Sequence, residues 1–215
     1  MEVPLLLAAV SATSPCGEDL EYDADFLHLE RDSLGKPERS MGDSILPAEP
    51  PEWRSIQQQS LALLQRSKDL RITHFLLQSS LALEGVSGLA RVLTLISELL
   101  KQYWADLHPR LDAEDNNDPT VRINALAGLT SDVTVRLLRE SILARSRAFG
   151  PVSLRAAANA TEMGRRGPQQ HNQGENRFEA IAEFFADRRR APADGADAWR
   201  PLARGRPHLR PAPGR

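Results

Sequence analysis

The sequence predicts an all-α fold, a compact multi-helix body followed by an irregular tail. Three observations within residues 53–104 lead there. Leu89, Val92, Leu93, Ile96, Leu99, Leu100 and Tyr103 recur at i, i+3, i+4 and i+7, which puts them on one stripe of a helix. Before them, Ile72, Phe75, Leu76, Leu77, Leu81 and Leu83 cover more than one face, so their helix is predicted to be the most buried. First in order, Trp53, Ile56, Leu63 and Leu64 face one way, with Gln57, Gln58, Gln59, Gln65 and Arg66 largely outward. The links between these helices are short. Asp69 is a natural N-cap, Gly85 is placed to end one helix and Ser87 to cap the next. Short links imply antiparallel neighbours around one core. Trp53 and Trp104 bracket that core and are expected in it, each with an indole N–H that wants a partner.

The other elements attach to this centre. Leu5 to Val10 is an apolar segment expected to dock on the core, and Pro15 and Gly17 specify the turn after it. Asp23 caps a helix over about 24–34, which Gly35 stops. The loop 35–51 is long for a compact domain unless it packs or binds something, and Ile45 and Leu46 suggest packing. Pro51 is expected as the first helical residue of the next helix. Later, Asp118 and Pro119 start a helix carrying Val121, Ile123, Leu126 and Leu129. Another follows Ser131-Asp132, residues 142–151 read as ambiguous or extended, and Ser153 caps a last short helix. This gives a helical domain over 1–159 and an Arg/Pro/Gly/Ala-rich tail over 160–215. One amphipathic helix is expected in that tail, at 175–190, with disorder beyond it.

Charge is unevenly placed. Residues 160–215 hold 11 arginines and 7 acids, net +4, while the rest holds 16 basic and 22 acidic groups, net −6. An acidic body argues against nucleic acid as the main partner, since phosphate contacts need clustered Lys and Arg. Cys16 stands alone, so no intrachain disulfide forms, and a reducing cytoplasm is the plain expectation. The N-terminal apolar run is short, lacks a positive flank and carries Glu2 and Pro4, unlike a signal peptide. No run reaches the ~20 apolar residues of a membrane span.

No catalytic motif emerges. Nucleophile elbows, phosphate loops, dinucleotide fingerprints and HExxH are all missing, and His74 reads as a core histidine. The acidic loop around Asp112, Glu114 and Asp118 has oxygen ligands to offer but not the spacing of a calcium loop, so it reads as a solvated loop with a helix cap. The expectation is a protein without catalytic residues, cofactor or metal. The rival readings are an enzyme using Cys16 or clustered carboxylates, and a nucleic-acid binder using the basic tail.

Several stretches occur together in order: Ser14-Pro15-Cys16-Gly17-Glu18-Asp19, Gly35-Lys36-Pro37-Glu38, Gly42-Asp43, Pro47-Ala48-Glu49-Pro50-Pro51-Glu52-Trp53, Arg66-Ser67-Lys68-Asp69-Leu70-Arg71, Tyr103-Trp104, His108-Pro109 and Asp115-Asn116-Asn117-Asp118-Pro119. Arg147-Ala148-Phe149-Gly150-Pro151 continues the series. In these the chain resembles the ImpA-type N-terminal domain of TssA proteins, components of the bacterial type VI secretion system, over about residues 3–159. The resemblance implies a helical, non-enzymatic scaffold that assists assembly and meets baseplate, sheath and tube proteins. Candidate partner-binding residues are Gly42, Asp43, Pro47, Glu49, Trp53, Asp115 and Asp118. The family's C-terminal ring-forming region has no counterpart after residue 160. The expectation is therefore a truncated or frameshifted chain, with homo-oligomerisation in doubt.

Overall fold

The structure is a computed structural model that describes residues 2–41, 44–114, 116–146 and 150–166. Gly85 sets its architecture. The run Leu70–Tyr103 (α4) is helical except at Gly85, where φ is +63° and ψ −148°. A straight helix of that length would stretch about 50 Å. Yet Leu70 N donates to His108 O at 2.9 Å, and His108 N donates to Lys68 O at 3.0 Å. A rod cannot bring its two ends together in this way, so α4 is bent double into antiparallel arms, 70–84 and 86–103. The reversal needs a second glycine: a Cβ on Gly88 would lie 2.3 Å from Ser80 O. By length and apolar content α4 would suffice to cross a membrane. Here its apolar stripes are folded against each other in the core.

The rest is built around this hairpin. Trp53–Arg66 (α3) lays Ile56, Leu63 and Leu64 against it, and Ala24–Ser33 (α2) adds Phe26 and Leu29. Val3–Leu7 (α1) is a helix, where the sequence suggested only a docked segment; it contributes Leu6, and Tyr103 Oη donates to Leu7 O at 2.6 Å. Leu70, Ile72, Leu76 and Leu77 from the first arm meet Val92, Leu95, Ile96 and Leu99 from the second. Each fully buried leucine contributes about 2 kcal/mol of apolar transfer. Asp23 and Asp69 cap their helices as expected: Asp23 accepts from Asp25 N and Phe26 N, Asp69 from Arg71 N. Thr120–Ala127 (α5) follows, then a 3-10 turn Gly128–Thr130, then Asp132–Glu140 (α6) with Ser131 as its cap.

The fold is mainly helical, but it is not purely so. Arg39–Met41 (β1) pairs antiparallel with Ser44–Leu46 (β2), matching Arg39 to Leu46. Lys36 and Glu49 close the base of that hairpin by reciprocal 2.9 Å backbone bonds and a 2.7 Å ion pair. Ile142–Ser146 (β3) and Gly150–Ser153 (β4) form a second hairpin where the sequence read as extended. Leu154–Arg166 (α7) closes the described chain, with Ser153 Oγ accepting from Ala156 N.

Other expectations change. Pro51 does not begin a helix; α3 starts at Trp53 with Glu52 as its cap residue. Ser87 donates its hydroxyl to Glu84 O at 2.9 Å and caps nothing. In the second arm Leu95 is buried and Leu93 exposed, because the reversal at Gly85 rotates the inner face. Ile45 is exposed and Leu46 only half-buried, since β2 is held by β1 and not by the core. Trp104 is exposed, and in α5 Val121 and Ile123 face outward while Arg122 is buried. The tail helix expected at 175–190 lies outside the described residues.

Candidate functional site

Four of the motif stretches, 14–19, 66–71, 103–104 and 108–109, converge on one polar clasp. It joins the segment after α1, the α3–α4 link and the segment after α4. Lys68 N donates to Cys16 O at 2.8 Å, and Gly17 bridges Ser67. Gly17 sits at φ +75°, and a Cβ there would fall 2.0 Å from Arg66 O, so only glycine passes. A ring nitrogen of His108, Nε2, is 3.2 Å from Gly17 O. Lys68 is buried, its Nζ donating to Leu64 O at 3.0 Å, and that burial pushes its pKa down.

Arginines tie the clasp to neighbouring acids. Arg71 reaches Asp69 at 2.7 Å and Asp19 at 2.6 Å, and lies over the Phe26 ring at 5.5 Å. Burial works against its charge, but Asp69 and Asp19 outweigh it and raise the pKa. Burial also raises Asp19, yet the Arg71 hydrogen bond, the Glu21 N–H and the Arg71 charge bring it below the usual carboxylate range. Arg66 bonds Asp23 at 2.6 Å and Asp25 at 2.8 Å, and the Arg66 hydrogen bond first of all lowers Asp23.

Arg122 completes the clasp, and its role was not legible in the sequence. Its guanidinium donates to the carbonyls of Trp104, Leu107 (2.5 Å) and Pro109 (2.8 Å), and stacks on the Trp104 ring at 4.7 Å. Trp104 thus lies at the surface as a platform for this arginine. The only available signal was a lone arginine among the apolar residues of α5, close after Tyr103-Trp104 and His108-Pro109.

The chemistry left over is sparse. Cys16 is buried, and burial first, then Asp106, pushes its thiol up to about 11. Such a thiol is a poor nucleophile at neutral pH. Burial also lowers the His74 pKa, and its ring sits edge-on to Phe75 at 5.3 Å. Among the described residues no three His, Cys, Asp or Glu side chains gather as a metal site requires. Asp112 Oδ1 accepts from Glu114 N at 2.9 Å, and Asp118 Oδ1 accepts from Thr120 N at 3.2 Å and Thr120 Oγ1 at 2.9 Å.

The sequence-chosen contact residues lie away from the clasp. Pro47 and Glu49 are exposed, Trp53 and Asp118 half-buried; Gly42, Asp43 and Asp115 lie outside the described residues. Trp53 instead borders a trough of about 670 Å³, between the reversal at 81–85 and residues 137–145. A second hollow of about 380 Å³ adjoins it through Glu140 and is lined also by Asp132, Val135, Arg136, Arg139 and Arg155.

The family described as ImpA, N-terminal, type VI secretion system matches residues 7–131. The chain belongs to this family. The ImpA N-terminal match spans α2 to α5 and so contains the whole clasp. The chain is also 54% identical over 200 residues to the type VI secretion system component TssA1 of Pseudomonas aeruginosa. That covers 93% of this chain and 56% of the relative, so the chain spans about half of that relative's length. A match of this extent necessarily includes residues 160–200. The change of composition at 160 therefore falls inside the matched stretch. In fold, the chain is similar to the N-terminal domain including the conserved ImpA_N region of the TssA component from Burkholderia cenocepacia. The TM-score is 0.55 at 24% identity, covering 84% of this chain and 65% of that one.

Proposed function

We propose that this chain is a non-enzymatic assembly component of the type VI secretion system, acting in the cytoplasm by binding baseplate, sheath and tube proteins. The 54% identity to TssA1 carries this reading. The clasp supports it: Lys68, Asp69, Arg71, His108 and Arg122, the groups most suited to chemistry, are committed to backbone and ion-pair partners. Residues 1–159 form the helical domain that does the binding. Its contact surfaces are the loop holding Gly42, Asp43, Pro47 and Glu49 with Trp53 beside it, and the loop holding Asp115 and Asp118.

The test is retention of the full chain on immobilised baseplate, sheath and tube proteins, repeated after Pro47→Ala, Glu49→Ala and Trp53→Ala together. The reading expects retention on at least one of them and its loss in the triple variant at an unchanged circular-dichroism spectrum. Retention on none would overturn it, as would retention that the variant leaves intact together with intact retention by Asp115→Ala/Asp118→Ala.

A further inference from the structure

We draw no further inference here: the strongest candidate, the apolar trough between the reversal at 81–85 and β3, carries nothing because no feature of the described residues shows what covers it.

Discussion

The clasp and the trough use their residues in opposite ways. In the clasp nearly every charged or polar side chain has a partner: Arg71 holds Asp69 and Asp19, Arg122 holds three carbonyls, and Lys68 caps Leu64. At the trough, leucine and isoleucine are exposed, and the adjoining hollow gathers Arg136, Arg139 and Arg155 with Asp132 and Glu140 at the surface. The difference teaches that a distinctive motif is not a marker of chemistry. The residues that stand out in the sequence hold three chain segments together, and the surface left for contacts is built from ordinary ones.

The comparison breaks most sharply at Arg122. Arg122→Met leaves the carbonyls of Trp104, Leu107 and Pro109 unpaired in a buried joint, and is expected to cost about 4 kcal/mol. Urea unfolding monitored by circular dichroism would show it as a lower midpoint. A change at the trough of equal size, such as Leu143→Ala, is expected to cost under about 1 kcal/mol because that side chain is already exposed. Next comes Gly17→Ala, whose new methyl meets Arg66 O on a left-handed backbone. It is expected to cost about 3 kcal/mol in the same assay.

Arg71→Gln sharpens the comparison through pH. It removes the partner of buried Asp69 and is expected to cost roughly 2 kcal/mol near neutrality. Asp19 has a folded pKa held below its ordinary value, so its contribution is present above about pH 4 and is lost as the pH falls through the lower folded value. The gap between variant and parent should therefore narrow in acid. Midpoints measured across that range would show a constant gap if Asp19 and Arg71 were not coupled. The smallest effect is expected at the rim: Pro47→Ala and Glu49→Ala should leave the midpoint within experimental scatter, because the Lys36–Glu49 pair is exposed.

How much of this was legible in the sequence depends on how local the controlling physics is. Asp23 and Asp69 were readable as caps because a cap needs only its own carboxylate and the next two amides. The reversal at Gly85 was readable too, from one glycine between two apolar runs. The burial of Arg122 in place of Val121 and Ile123 was not, since it depends on carbonyls left over at the end of α4. Nor was the exchange of Leu93 for Leu95, because the angle of the reversal decides which face turns inward. The two hairpins are three to five residues per strand, too short for an alternating pattern to declare itself. The trough was not legible either, since its walls come from four separated elements.

The central claim is that this domain works by surface contact, with the clasp as its support. Its most direct measurement is retention on purified baseplate, sheath and tube proteins, comparing the parent with the Pro47→Ala/Glu49→Ala/Trp53→Ala variant at matched folded fraction. The account predicts that retention falls at least tenfold while the unfolding midpoint barely moves. Undiminished retention both in that variant and in Asp115→Ala/Asp118→Ala, with loss seen only when a clasp substitution unfolds the chain, would contradict it.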